Sequence, residues 1–215
     1  MEKDEGPKDN NESLVDQVYH MFLNQLLNNE IVPGMVLNRK DIAKDLQVSM
    51  APVREALARL TREGFIDTLP RRGTVVKAIN KEDVHDLLVL REAIECQAAR
   101  IYCGQAILEH RSFLEACALE VDEPIDDLIE HWKRDIQFHH QLVALTCSKS
   151  LSDSFKRVMR VGTFYQVNTF LAQEERQERL SHKALIEELT TDDPDRAEKI
   201  IRDHLKSGKR HFYKG

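Results

Sequence analysis

Aromatic residues are scarce in this 215-residue chain, at 6%, and so are backbone breakers, with eight Gly and six Pro. Together these shortages favour helix over a strand-rich architecture. No apolar run approaches the roughly 18 residues that a membrane span needs. The opening MEKDEGPKDNNES has no apolar stretch, which argues against a signal peptide. Residues 1–12 read as a short disordered tail. Cys96, Cys103, Cys117 and Cys147 form no CxxC pair and have no His at zinc-finger spacing. They are expected to be small core residues of a reducing cytoplasm, with no disulfide framework.

What is present is 41% hydrophobic and 32% charged residues, the balance of a soluble globular protein long enough for two domains. The net charge of -6 is unevenly spread. From Pro33 to Lys77, nine Lys and Arg face five Asp and Glu, which leaves that segment at about +4 and the remainder at about -10. A basic module joined to an acidic one is the footprint of a nucleic-acid reader attached to a different kind of domain.

Leu14, Val18, Phe22 and Leu26 recur every four residues, an amphipathic helix with Ser13 at its N-cap. A short helix is predicted over about Arg39 to Leu46. Val48-Ser49 makes a tight turn, and a further helix runs from Met50 to Glu63 with Ser49 as N-cap and Gly64 as C-cap. Two short β-type runs, Phe65–Leu69 and Thr74–Ala78, flank Pro70-Arg71-Arg72-Gly73, a turn with two cations at its tip. Helix, turn, helix and hairpin is the winged helix-turn-helix order, assigned to residues 13–79. Beyond it the pattern is entirely helical. Segments fall at about 81–103, 105–120, 125–146, 150–171, 175–190 and 195–211, an all-helical bundle of about six helices over residues 81–215. The predicted fold is mainly α: three helices plus a two-stranded wing, then the bundle.

In a winged helix the second of the paired helices presents its N-terminal end to the major groove. Here that end is Ser49, Met50, Ala51 and Pro52, with Arg54 placed to donate to a guanine or a phosphate. Lys40, Lys44 and Arg59 lie where phosphates would pass, and Arg71, Arg72 and Gly73 form the wing tip. Any one of these cations alone reads better as a solvated helix face. Their clustering in one motif of an otherwise acidic chain favours double-stranded operator DNA as the partner, and two symmetric heads on a palindrome imply a homodimer.

These residues resemble a known family. Pro33-Gly34, Ile42-Ala43, Val48-Ser49-Met50-Ala51-Pro52-Val53-Arg54-Glu55-Ala56-Leu57, Leu60, Glu63-Gly64 and Arg72-Gly73 are similar to the GntR regulators of the FadR type. Met50 stands where the family usually has Arg, so the operator is expected to differ, or Lys40, Arg54 and the wing to carry more of the binding. The resemblance implies a bacterial, cytoplasmic and nucleoid-associated transcription regulator, by analogy a repressor relieved by effector, with activation the alternative sign.

Asp135 and His139 are four apart and leave one helix face together. His182 and His204 sit at similar heights on the last two helices, either side of Asp192-Asp193-Pro194. By spacing alone, all four read as surface or satisfied core groups. The resemblance extends to the FCD ligand-binding domain that accompanies this head, whose members place metal ligands in this pattern. It implies Asp135, His139, His182 and His204 as ligands of a divalent transition metal: Zn, Ni, Mn or Fe. Ser148 departs from the Asn that many members carry nearby. The same resemblance implies a small carboxylate effector near the metal. Arg91, in Leu90-Arg91-Glu92-Ala93-Ile94-Glu95, and Arg160 are its candidate partners, each weighed evenly against an ordinary ion pair. The rival reading is a metal-dependent enzyme using the same four ligands, against which stands the lack of a motif such as HExxH.

Overall fold

A computed structural model describes residues 13–69, 73–125, 128–168 and 181–207. The chain divides into two compact units, Met1–Lys77 and Ala78–Gly215. The expected tail over residues 1–12 lies outside the described residues.

In the first unit, α1 (Leu14–Leu27) starts where the Ser13 hydroxyl accepts from the Asp16 N–H. It buries Val18, Tyr19, Phe22, Leu23 and Leu26 on α3 (Met50–Glu63), which answers with Val53, Ala56, Leu57 and Leu60. Between them α2 (Arg39–Asp45) is capped by the Asn38 side chain on the Lys40 N–H. Gly64 stops α3 in the left-handed region at φ 89°, a conformation that L side chains resist. The sheet has three strands and not the expected two. β2 (Ile66–Leu69) and β3 (Gly73–Val76) form the antiparallel hairpin, and β1 (Val36–Leu37) adds to the other side of β3. A two-residue strand is too short to show alternation, so nothing in the pattern announced it.

The second unit holds seven helices among its described residues: α4 (Lys81–Tyr102), α5 (Gln105–Glu109), α6 (Arg111–Asp122), α7 (Leu128–Ala144), α8 (Lys149–Asn168), α9 (His182–Glu188) and α10 (Pro194–Lys206). A full capping box, Asn80 with Asp83, fixes the start of α4. The helix expected over 105–120 is broken at His110, which ends α5 and begins α6 at φ -107°, ψ 10°, with its ring nitrogen on the Ala106 carbonyl. No Gly or Pro marks the break. The core joins Tyr102, Ile107, Leu114, Trp132, Phe138, Phe155, Ile186 and Ile201 from α4 to α10. On α7 the inward stripe Trp132, Asp135, Phe138, His139 and Leu142 carries two polar residues into that core.

Candidate metal centre and nucleic-acid interface

Three helices deliver the four predicted ligands to one buried point. Asp135 and His139 come from α7, His182 is the first residue of α9, and His204 lies on α10. All four are buried, His139 completely. One ring nitrogen from each of His139, His182 and His204 falls within 4.8 Å of the others. Asp135 Oδ1 lies 3.3 Å from His182 Nε2 and 3.8 Å from His139 Nε2. The outer nitrogens are engaged: His139 Nδ1 is 2.5 Å from Glu95 Oε2, and His182 Nδ1 is 2.8 Å from Asp122 Oδ1. A carboxylate only accepts, so each Nδ1 carries a proton. His139 Nε2, His182 Nε2 and His204 Nδ1 are buried with no hydrogen-bond partner. Such orphans are costly in a protein interior. Three imidazole nitrogens beside a carboxylate are a donor set that a borderline divalent ion satisfies, so the residues fit the metal that the resemblance implies.

Charge at this point is balanced by pairing. Arg91, fully buried on α4, donates from Nε to Glu95 Oε1 at 2.6 Å and from Nη2 to Asp135 Oδ2 at 3.2 Å. Its Nη1 has no hydrogen-bond partner, and the guanidinium lies 5.6 Å from the Trp132 ring. Burial alone would raise the Glu95 pKa. The charges of His139 and Arg91 and their hydrogen bonds prevail and hold it at about 2. Burial opposes charge on His182 too, but the Asp122 hydrogen bond and neighbouring Asp135 push its pKa up to about 9. Burial drives His139 and His204 the other way, His204 further because the other two rings stand beside it. Arg160 sits half-buried on α8, which packs on α4 and α7.

On the first unit, Ser49, Met50, Ala51 and Arg54 are exposed at the N-terminal end of α3, with Pro52 half-buried behind them. Ser49 holds the N-cap position, yet its hydroxyl makes no capping bond. Lys40 and Lys44 are exposed on α2. Arg59 departs from expectation: it is turned to α1, with Nη1 3.1 Å from Asp16 Oδ1, Nε 3.3 Å from Glu63 Oε1 and the guanidinium 3.6 Å above the Tyr19 ring. It braces two helices, since the flank it occupies on α3 is covered by α1. Arg39, which the sequence did not single out, donates twice to the Thr74 hydroxyl and ties α2 to β3. Gly73 has φ 85°, which accounts for a glycine at the start of β3. Arg71 and Arg72 lie outside the described residues.

Comparison with known families matches residues 14–76 to the gntR family of bacterial regulatory proteins and residues 86–207, more than half the chain, to the FCD domain. The chain belongs to the FCD-bearing GntR family. This GntR chain is 34% identical over 127 residues to the Nta operon transcriptional regulator of Aminobacter aminovorans, a match covering 59% of the chain and 60% of the relative. It is 31% identical over 137 residues to the HTH-type transcriptional repressor RspR of Escherichia coli K12, covering 60% and 58%. The match thus spans about three-fifths of these relatives' length. A solved GntR structure from Rhodococcus sp. RHA1 shares the fold at TM-score 0.66 and 20% identity, covering 94% of this chain and 98% of that one. The E. coli McbR/YncC structure does so at 0.59, also at 20% identity. Family and relatives are regulators, so the metal-dependent enzyme reading is set aside.

Glu95 and Asp122 are the members of the centre that sequence reading missed. In sequence Glu95 stands only within the Leu90–Glu95 run, and Asp122 belongs to no motif. Their contacts span 44 and 60 residues of chain, so spacing carried no signal of them.

Proposed function

We propose that this GntR chain is a homodimeric transcription regulator that binds operator DNA under the control of a small carboxylate held beside a divalent transition metal. The observation that carries the metal is the set of three buried imidazole nitrogens without hydrogen-bond partners, gathered beside Asp135. Asp135, His139, His182 and His204 would hold a Zn, Ni, Mn or Fe ion, which when bound would supply a positive charge that attracts a carboxylate. Arg91 Nη1, an unused donor on a buried cation, supports a second contact to that carboxylate, with Arg160 as a further candidate. Lys40, Ser49, Met50, Ala51, Pro52 and Arg54 form the reading surface, with Arg71, Arg72 and Gly73 at the wing.

Coupling follows from the chain. Arg91 and Glu95 belong to α4, the first helix after the reading head, which begins at Lys81, five residues beyond the end of β3. An effector that takes Arg91 Nη1 changes what holds α4, and it regulates only through unequal affinity for two arrangements of the heads. One relative is named a repressor, which supports repression relieved by effector as the sign. Among the described residues no helix is long and apolar enough to cross a membrane, in keeping with work in the cytoplasm at the nucleoid.

Gel shift against the protein's own promoter region tests this. Specific, salt-sensitive binding is expected, weakened by a small carboxylate when Zn²⁺ is present and not when it is chelated. No preference over random DNA overturns the regulator reading. A carboxylate response that survives chelation overturns the role of the metal.

A further inference from the structure

His182 is the first residue of α9, so no earlier turn of that helix packs against its ring. A ligand at such a position aims its nitrogen only if something outside the helix grips the other side of the imidazole. Asp122, the last residue of α6, does this with both oxygens. Its Oδ1 accepts from His182 Nδ1 at 2.8 Å and from the His182 backbone N–H at 3.0 Å. Its Oδ2 accepts from the Ser181 hydroxyl at 2.7 Å and from the Lys183 N–H at 3.2 Å. One carboxylate therefore caps α9 and orients the imidazole that α9 contributes.

We infer that Asp122 is a positioning residue of the metal centre, setting the tautomer and angle of His182 so that Nε2 faces Asp135 and the other histidines, and fastening that ligand to the end of α6. The inference rests on the proposed metal. Its physical basis is general: an Nδ1–H donated to a carboxylate leaves the lone pair on Nε2, pins the ring and makes Nε2 a stronger donor. The ring is also pinned from the side by Phe138, edge to face at 4.9 Å. Glu95 makes the parallel contact to His139, but from the dry interior and in the grip of Arg91. Asp122 is the more open of the two, its side chain 25% exposed against 2% for Glu95. Loosening α9 from α6 would loosen the metal, and metal bound at His182 would in turn hold the two helices together.

The test is competition for Zn²⁺ between the full chain and a chromophoric chelator. Asp122→Ala should bind Zn²⁺ about 10- to 100-fold more weakly than wild type, the usual effect of losing an outer partner of a ligating histidine. Asp122→Asn, which keeps an acceptor, should recover part of the loss. Ser181→Ala separates positioning from helix capping, because it removes a cap of α9 while keeping the Nδ1 bond; its affinity should stay within a few-fold of wild type. Equal affinity in wild type and Asp122→Ala overturns the inference and leaves the metal reading standing. An equal loss in Ser181→Ala and Asp122→Ala also overturns it, by reducing Asp122 to a cap. A wild type that binds no Zn²⁺ overturns both. Nitrogen NMR of Zn²⁺-loaded wild type gives a check that needs no variant: His182 should show Nδ1 protonated and Nε2 bound, and ligation through Nδ1 contradicts the inference.

Discussion

Two arginines on α3 show how far position on a helix decides a side chain's work. Arg54 is exposed at the reading end, and Arg59, five residues on, is committed to Asp16, Glu63 and Tyr19. Arg54→Ala should weaken operator binding by about 1–3 kcal/mol, the worth of a good base contact, and leave the melting temperature unchanged. Arg59→Ala should do the reverse. It loses a partly exposed ion-pair pair and a cation–π contact, together about 1 kcal/mol, and lowers the melting temperature with little change in the affinity of the folded protein for DNA. Thermal unfolding and gel shift on both variants check this, and swapped effects would contradict the assignment. The buried titratable groups make an equally specific prediction for protein kept in chelator. Glu95 is depressed to about 2 from 4.5, so its stabilisation is complete above about pH 4.5 and fades as pH falls toward 2. His182 is raised to about 9 from 6.5, so its stabilisation is complete below about pH 6.5 and fades as pH rises through 9. Urea unfolding across pH should therefore show chelated protein losing stability in both windows. A flat response from pH 6.5 to 9 would contradict the charge assigned to His182.

At the scale of elements, the helices were legible because each has a strong apolar stripe and side chains suited to its ends. Ser13, Asn38, Asn80 and Asp193 all cap as their residue type suggests. What was not legible had no local cause. The break at His110 and the strand at Val36–Leu37 are imposed by packing and pairing, without a breaker or an alternating run to announce them. The metal centre was half legible. Asp135 and His139 share a face by spacing, whereas their meeting with His182 and His204 could be read only through family resemblance. Glu95 and Asp122 emerge only once α4 and α6 are folded against α7 and α9. One joint illustrates such tertiary control. Gly104 turns the chain at φ 71°, its N–H donating to the Leu189 carbonyl, and a Cβ there would fall 2.2 Å from Asp192 Oδ1. Gly104→Ala should destabilise the helical unit by about 1–3 kcal/mol, from positive φ and the displaced carboxylate. An unchanged unfolding midpoint would contradict that account of the joint.

The whole molecule is a winged helix unit whose Pro33–Lys77 segment is basic, followed by an acidic helical unit, and the chain joins them through α4. That helix carries Arg91 and Glu95, which touch Asp135 and His139, so the first element after the head is also a wall of the proposed metal centre. A regulator needs such a shared element, because an effector bound in one unit must alter something that the other is joined to. The central claim is that the four ligands hold one ion, and the most direct measurement is the metal content of protein purified without chelator and reloaded with Zn²⁺. Wild type should carry about one ion per chain, and His182→Ala and His204→Ala almost none at the same free metal concentration. Wild-type protein that retains no ion, or variants that keep it as firmly as wild type, would contradict that claim.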